Sequence, residues 1–326
     1  MNIGFFVRHF TELGTEVAVF DYAKYNEEIL NNTSIIICFT ETGQQKMDFQ
    51  VKRISYEKFK SRFQIIEIES IDDMKNVIET YHLHFFYTLT HGGNDIYQFN
   101  NKSIWGDCKT IKHCVFSTTY PESDFYISIS EKLNEKNATN LTVIPHIVHL
   151  PECTENLRTE FNIPIDAIVF GRYGGKRSFD IDITHNAIID YLNTIPNTYF
   201  LFMNTNKFYE HPNIIYLDMN IDLIYKVKFI NTCDAMIHAR SSGETFGLAV
   251  AEFSIKNKPI ITCSCGDLEH IKILGDKALL YTSKESLIDI FKNMKTIISQ
   301  TNDWNAYSYY TPSNIMVLFK KLIIDK

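Results

Sequence analysis

Short apolar runs of strand length alternate with polar, periodic stretches along the first half of the chain. Two of the polar stretches, Tyr22–Asn31 and Ser70–Tyr81, have the spacing of surface helices, and Ser70 is placed to cap the second one. Strands that are apolar throughout and alternate with helices indicate a parallel sheet covered on both faces. The predicted strands are Asn2–Val7, Val17–Asp21, Ser34–Phe39, Phe63–Ile68, His84–Leu89, Lys112–Ser117, Phe125–Ile129 and Leu141–Ile144.

The alternation stops at Pro145–Pro151 and then starts again, which is typical of a linker between two lobes. Helices are predicted over Ile181–Asn193 and Phe246–Lys256, and the chain beyond Ser283 looks helical to its end, interrupted at Pro312. The predicted strands of this half are Ala167–Gly171, Thr198–Met203, Asn213–Leu217, Ala235–His238, Pro259–Thr262 and Ala278–Tyr281.

These patterns predict an α/β protein with two doubly wound, Rossmann-like lobes, residues 1–150 and residues 151–300. The helical segment 301–326 is expected to pack back on the N-terminal lobe. Open parallel sheets bind ligands at the carboxyl ends of their strands, so we expect a ligand cleft between the lobes.

Composition narrows the functional classes. A hydrophobic share of 45% is ordinary for a globular protein, and the net charge of −7 argues against a nucleic-acid partner. Seven cysteines without a regular framework, and no secretory leader, favour a cytoplasmic setting. The sequence contains no apolar run of transmembrane length, which leaves peripheral membrane contact open.

The strongest chemical signal is the segment Ser241–Glu252, SSGETFGLAVAE, which follows one predicted strand and opens a helix. A glycine-bearing loop at a helix N-terminus presents free N–H groups to an anionic diphosphate. Glu244 is placed to accept hydrogen bonds from sugar hydroxyls, and Glu252 from the two hydroxyls of a ribose. The alternative is that each acid is an ordinary helix-start or surface residue. The predicted donor contacts in this segment are Gly243, Glu244, Thr245, Phe246, Gly247 and Glu252.

A second glycine-bearing loop follows the predicted strand that ends at Gly171. It carries three cations, Arg172, Lys176 and Arg177, and guanidinium groups bind phosphate oxygens with paired, charge-assisted hydrogen bonds. The sequence therefore predicts phosphate-binding roles for these residues, against the alternative of an exposed basic loop without a ligand.

The two glutamates separated by seven residues resemble the E-x7-E motif of glycosyltransferase family 4, whose members have the two-lobed GT-B architecture. Pro259–Thr262 and Cys265–His270 resemble the segments that follow this motif, with Cys265 at the first position of the usual Gly-Gly pair. In that family an Arg and a Lys of the first loop contact the donor diphosphate. Arg172 and Arg177 occupy those places, with Lys176 as a second choice for the Lys.

The resemblance implies a hexosyltransferase-like enzyme of glycan biosynthesis. It would transfer a sugar from a nucleoside-diphosphate sugar, its co-substrate, to a hydroxyl of a saccharide or other acceptor. Retention of anomeric configuration and independence of metals and obligatory cofactors are implied too. Glu244, Arg172 and Arg177 would be catalytic. A sugar-nucleotide epimerase of the same architecture and a non-catalytic nucleotide-sugar-binding protein remain alternatives.

The pair Asp180 and Asp182 imitates an Asp-x-Asp metal clamp, but helix-start acids are the favoured interpretation. Cys263 and Cys265 lack a second pair at zinc-site spacing, so small buried thiols are the better interpretation. No metal site is predicted.

The N-terminal half offers fewer signals. Its candidates on the acceptor side follow the first strand, follow His84–Leu89, or lie within a strand: Arg8, His9, His91, Asn94, Asp95 and His113. In the resembling family a histidine of this lobe often contacts the donor sugar, which makes His113 or His91 a further catalytic candidate. A lone histidine on a strand is more often a structural residue.

Overall fold

The structure is a computed structural model that describes residues 1–11, 14–46, 53–194 and 197–326. Its residues form two compact units, one made of residues 1–147 and 310–326 and the other of residues 148–309. None of the helices in the described ranges has the length and apolar run needed to span a bilayer.

The first unit is built on a parallel sheet in the order β3-β2-β1-β4-β5-β6-β7. Aromatic side chains such as Phe6, Phe86 and Trp105 fill one layer between this sheet and its helices. Its strands are β1 (Asn2–Phe6), β2 (Thr33–Phe39), β3 (Gln64–Ile68), β4 (Leu83–Thr90), β5 (Lys109–Cys114), β6 (Phe125–Ser128) and β7 (Thr142–Val143). Its helices are α1 (Gly14–Glu28), α2 (Glu41–Lys46), α3 (Arg53–Lys60), α4 (Met74–Tyr81), α5 (Lys102–Trp105), α6 (Glu131–Asn137) and α12 (Pro312–Phe319).

The second unit has a six-stranded parallel sheet in the order β10-β9-β8-β11-β13-β15, with a small parallel pair, β12 and β14, beside it. Phe170, Phe200 and Phe291 pack together in its core. Its strands are β8 (Ile168–Tyr173), β9 (Thr198–Met203), β10 (Ile214–Leu217), β11 (Ala235–Ile237), β12 (Gly243–Glu244), β13 (Ile260–Cys263), β14 (Asp267–Leu268) and β15 (Ala278–Tyr281). Its helices are α7 (Asp182–Leu192), α8 (Leu223–Thr232), α9 (Leu248–Ile255), α10 (Glu269–Leu274) and α11 (Lys284–Gln300).

Both sheets run in the order 3-2-1-4-5-6 of a Rossmann fold when each is numbered from its own first strand, and the first adds a seventh strand. The predicted pair of doubly wound α/β lobes is thus confirmed. In each sheet the connections reverse direction between the first and fourth strands, β1 and β4 in one and β8 and β11 in the other. Ligands of such sheets bind where this reversal occurs.

Two local predictions are wrong. Val17–Asp21 lies inside α1, where Ala18, Val19, Tyr22 and Ala23 are buried at helical spacing, so its apolar run is the inward face of a helix. Pro312 does not interrupt a helix but begins α12, because a proline at the first helical position has no N–H to leave unpaired. Residues 301–311 before it are not helical.

Helix α12 packs within the first unit. Its residue Phe319 lies against Tyr22 of α1, with 5.6 Å between the ring centroids, and against Tyr87 of β4. The C-terminal segment therefore crosses back to the unit that contains the N-terminus.

Candidate functional site

The predicted donor residues lie in or directly beside two neighbouring loops of the second unit. One loop follows β8 and leads to α7, and the other follows β11 and leads to α9. Because β8 and β11 are adjacent and parallel, both loops leave the carboxyl edge of the sheet at its reversal point. The fold therefore brings Arg172 and Glu244 to the same edge from positions 72 residues apart.

Arg172, near the end of β8, has a buried side chain that organises the loop after this strand. Its guanidinium donates to the carbonyl of Gly175 at 2.8 Å and to Oγ of Ser178 at 2.7 Å. It also donates to Asn204 and Thr205 at the end of β9. Burial lowers the pKa of Arg172 to about 10, and the nearby charge of Glu244 opposes that shift. Four donated bonds to protein acceptors make this arginine a support for the loop.

The other two predicted cations, Lys176 and Arg177, lie in the loop after β8 and are exposed. They lie on the turn that Arg172 supports, just before α7, and their charged groups face solvent. Gly171, the remaining predicted donor residue of this segment, lies inside β8 and is buried. The end of β8 thus supplies one buried cation, and the loop after it supplies two that a ligand in solution can reach.

Glu244 is held by two side chains that precede it in the second loop. Arg240 donates to its carboxylate at 2.9 Å, and Nε2 of His238 lies 3.4 Å from its other oxygen. Burial raises the pKa of Glu244, but the hydrogen bonds and charges of His238 and Arg240 outweigh burial and lower the pKa to about 2. One fifth of the side chain remains exposed, so an ionised acceptor faces solvent in a fixed orientation.

A buried chain of hydrogen-bonded side chains holds His238, the partner of Glu244, in place. Nδ1 of His238 is 2.9 Å from Oγ1 of Thr262, which is in turn 3.1 Å from Nε2 of His270. Burial lowers the pKa of His270 to about 3, with a further contribution from His238. A neutral His270 therefore fixes the position of the Thr262 hydroxyl, and through it the ring of His238.

The backbone of the turn before Glu244 lies so close to the segment after β13 that only glycine fits at the points of contact. Gly243 and Gly266 have φ values of +62° and +61°, and a Cβ on Gly266 would lie 2.0 Å from the carbonyl carbon of Ser242. The N–H of Asp267 donates to the same carbonyl group at 2.8 Å. This contact explains why residue 266, directly after Cys265, is a glycine.

Asp180 joins the two loops. Its carboxylate accepts from the N–H of Ser241 at 2.8 Å and from the hydroxyl of Ser241 at 2.6 Å. Its own N–H donates to the carbonyl of Ala239 at 3.0 Å. Asp182, by contrast, lies in the first turn of α7, as the helix-start interpretation expects. Within the described residues, no three His, Cys, Asp or Glu side chains come together as a metal-binding group.

Helix α9 begins at Leu248 with Gly247 as its N-cap, so the N–H groups of its first turn have no partners within the helix. Glu252, one turn further, is buried and contacts Nζ of Lys226 at 2.9 Å and the hydroxyl of Tyr173. Thr245 is buried, and Phe246 packs on Tyr307. Phe246 is therefore a core residue, and its predicted donor contact would have to come from its backbone.

The first unit has its own cluster at the corresponding reversal point. Arg8, after β1, is 3.3 Å from Asp95 in the loop after β4. The same carboxylate is 3.2 Å from Nζ of the fully buried Lys112 of β5. His91 and Asn94 are exposed beside this cluster, and His9 is half-buried. Sequence reasoning had not singled out Lys112.

The structure corrects the expectation for His113. Its side chain has no accessible surface, its Nδ1 is 2.8 Å from the hydroxyl of Tyr87, and Tyr22 and His146 pack around it. Burial, with a smaller contribution from His146, lowers its pKa to about 3. A group enclosed in this way contacts only protein, so His113 is a neutral core residue here and not a sugar contact.

The sequence alone had indicated no role for Arg240, His238 or Ser241, the hydrogen-bond partner of Asp180. A signal existed for His238, because it ends the apolar run DAMIH at a strand's carboxyl edge. Arg240 is a cation four residues before Glu244, and only the folded turn shows that it contacts this carboxylate.

The two cysteines after β11 lie close together. Cys263 is buried and Cys265 half-buried, with 2.7 Å between their sulfur atoms.

No protein-family model and no curated protein matches this sequence. Solved structures do match it over nearly the whole chain. A glycosyltransferase from Rickettsia africae aligns with 99% of this chain and 97% of its own, at 15% identity and a TM-score of 0.69. The Anabaena protein HepE in complex with UDP-glucose aligns with 100% and 99%, at 12% identity and a TM-score of 0.72.

The structural relatives also include an enzyme of another class. UDP-GlcNAc 2-epimerase from Neisseria meningitidis, bound to UDP-GlcNAc, aligns over 100% of both chains at 10% identity and a TM-score of 0.62. At these identities the similarity shows the fold. This chain has the GT-B fold of two Rossmann-like lobes.

Proposed function

We propose that this protein is a glycosyltransferase that moves a sugar from a nucleoside-diphosphate sugar to an acceptor hydroxyl. The observation that carries the proposal is the arrangement around Glu244. An ionised carboxylate, oriented by Arg240 and His238, faces solvent between a strand end and the N-terminus of α9. A carboxylate that only accepts hydrogen bonds suits sugar hydroxyls, and a helix N-terminus suits a phosphate.

The diphosphate is expected to lie between the N-terminus of α9 and the exposed side chains of Lys176 and Arg177. As the bond from the sugar to the diphosphate breaks, negative charge grows on the leaving group. The helix terminus and the two cations would stabilise this charge, while Arg172 holds the loop that carries them. We therefore assign Arg172 a supporting role and Arg177 the direct one.

Metal independence is part of the proposal. Both oxygens of the Asp180 carboxylate accept hydrogen bonds from Ser241, so this residue is engaged in linking two loops. Cations of the chain are available for the diphosphate in place of Mg²⁺ or Mn²⁺. We expect EDTA to leave turnover within twofold of the untreated rate, and strong dependence on added manganese would contradict this part.

Retention of anomeric configuration is proposed from the resemblance in the donor motif. Within the described residues of the two loops, Asp180 and Glu244 are carboxylates that face solvent near the cations. Both oxygens of Asp180 accept hydrogen bonds from Ser241, and the low pKa of Glu244 makes it a poor base. The leaving phosphate would then accept the acceptor's proton. Proton NMR of the first-formed product distinguishes retention from inversion by the coupling constant of the anomeric proton.

Donor binding is the first test. Several structural relatives were solved with UDP or UDP-sugars, which makes UDP the first nucleotide to try, with GDP and ADP beside it. A true ligand raises the melting temperature by mass action. Wild-type protein, Glu244→Gln and the exposed control Glu152→Gln would then be assayed with UDP-glucose and a panel of saccharide acceptors.

We expect Glu244→Gln to lower turnover about 100-fold or more, with Glu152→Gln unchanged. Equal turnover by wild type and Glu244→Gln under donor-limited conditions would refute the assignment. Donor binding without turnover on a broad acceptor panel would support a non-catalytic sugar-nucleotide-binding protein instead.

An epimerase is the second candidate, because one enzyme of that class shares the whole fold. Incubation with UDP-GlcNAc and no acceptor separates the two. An epimerase would release an isomeric nucleotide sugar, whereas a transferase would give slow hydrolysis or no reaction.

A further inference from the structure

Hydrogen bonds between Asp180 and Ser241 connect the two loops of the proposed donor site. Asp180 lies at the end of the loop that carries Lys176 and Arg177. Ser241 lies three residues before Glu244. A contact between them therefore connects the loop of residues 174–181, here called the cationic loop, to the loop of residues 238–247, here called the carboxylate loop.

The geometry of this contact is specific. Three hydrogen bonds, of 2.8, 2.6 and 3.0 Å, tie residue 180 to residues 239 and 241, and two of the three involve backbone groups of the carboxylate loop. Two bonds from Ser241 to one carboxylate fix both the position and the rotation of that residue. Asp180 is exposed to solvent, so the bonds constrain the loop without filling a core.

The other side of the carboxylate loop is already fixed. The N–H of Gly243 donates to the carbonyl of Arg240 at 3.0 Å, which closes a turn, and the N–H of Asp267 donates to the carbonyl of Ser242 at 2.8 Å. Arg240 then bridges Oγ of Ser242 and the carboxylate of Glu244. Asp180 is therefore the anchor on the side of the turn that faces the cationic loop.

We propose that Asp180 is a positioning residue for the reaction. By holding Ser241, it keeps Arg240 and Glu244 in their orientation relative to the cationic loop. The inference rests on the proposed glycosyl transfer. In this role Asp180 touches no substrate. Its removal should lower turnover more than donor affinity, because Glu244 is one of several proposed donor contacts, whereas its orientation sets the geometry in which the sugar reacts.

The test uses Asp180→Asn and Asp180→Ala, with Asp182→Asn as a matched control. Asp182 is an exposed aspartate two residues away, in the first turn of α7. We expect both Asp180 variants to lower kcat about tenfold, with KM for the donor within twofold of wild type and the control unchanged. Ser241→Ala should give a smaller loss, because its N–H is kept, and Ser241→Thr should retain nearly full activity.

Hydrogen exchange supplies a readout that does not depend on activity. Amides of residues 240–244 should exchange several-fold faster in Asp180→Ala than in wild type, while amides of the β13 strand remain protected. Wild-type exchange and kcat in Asp180→Ala, or an equal loss in Asp182→Asn, would overturn the proposal. A wild-type protein without sugar-nucleotide turnover would defeat the proposed function, and exchange alone would then decide whether Asp180 orders this loop.

Discussion

The carboxylate of Glu252 lies 2.9 Å from the ammonium group of Lys226, and both side chains are largely buried. Tyr173, directly after Arg172, donates its hydroxyl to the same carboxylate, and the ammonium group lies 5.3 Å from its ring centroid. The second glutamate of the motif is thus neutralised by the protein before any ligand binds. A buried ion pair of this kind is costly to break from one side only.

We expect Glu252→Gln to lower the free energy of unfolding by roughly 3 kcal/mol, because Lys226 then keeps an uncompensated charge. Lys226→Met should also destabilise, and the double variant should be more stable than the sum of the two losses implies. Urea unfolding of the four proteins gives this coupling energy. Additive losses would show that the two side chains do not act as a pair.

A second prediction distinguishes Arg172, near the end of β8, from Arg177 in the loop that follows. Arg172→Lys should lower the free energy of unfolding by about 1–3 kcal/mol, because lysine cannot reach Gly175, Ser178 and Thr205 with a planar fork. Arg177→Ala should leave stability within about 0.5 kcal/mol of wild type, since its side chain is exposed.

Arg177→Ala should change nucleotide affinity even though it leaves the free energy of unfolding nearly unchanged. Arg177→Ala is expected to weaken UDP binding about tenfold, by loss of a charge-assisted hydrogen bond. Isothermal titration calorimetry checks this, with Lys207→Ala as an exposed-lysine control outside the loop. Unchanged affinity in Arg177→Ala would shift the direct role to Lys176.

Much of the fold was predictable from the sequence because parallel strands buried on both faces leave long apolar runs. Thr198–Met203 and Ala278–Tyr281 agree with β9 and β15 to the residue. Val17–Asp21 failed because a run of four apolar residues has no visible period. The surrounding residues Tyr22 and Tyr25 reveal the helix only when their burial is known.

The candidate site was predictable in its location and less so in its roles. The motifs placed Arg172 and Glu244 at strand ends, and the fold puts those ends side by side. Whether a cation faces a ligand or the protein depends on acceptors far away in sequence, such as Thr205 for Arg172. No local pattern carries that information, and the same holds for Asp180 and Ser241.

Gly266 allows a third prediction, on the loop that supports Glu244. Gly266→Ala should lower the free energy of unfolding by at least about 2 kcal/mol, because its φ is positive and its Cβ would overlap the backbone of Ser242. Gly93→Ala is the control, since a Cβ there meets no atom within 4 Å. Similar thermal unfolding of both variants would contradict the backbone contact.

The last prediction concerns pH and the enclosed histidine His113. Burial lowers its pKa to about 3, whereas an unfolded histidine titrates near 6.5. Between pH 6.5 and pH 3 the unfolded state therefore binds a proton on His113 that the folded state does not bind. The contribution of the neutral, buried His113 to the free energy of unfolding is complete above pH 6.5 and declines towards pH 3. Each pH unit within this window costs about 1.4 kcal/mol.

We expect His113→Gln to be less stable than wild type at pH 7 by about 1–3 kcal/mol, because the bond with Tyr87 is weakened or lost. At pH 5.5 the difference should narrow by about 1 kcal/mol, since the variant lacks the group whose protonation favours unfolding. Urea unfolding at the two pH values measures this. The exposed residue His82, replaced by Asn to suit its left-handed backbone, should follow wild type at both. A constant difference between His113→Gln and wild type would mean that His113 titrates alike in the folded and unfolded states, which is incompatible with its enclosure.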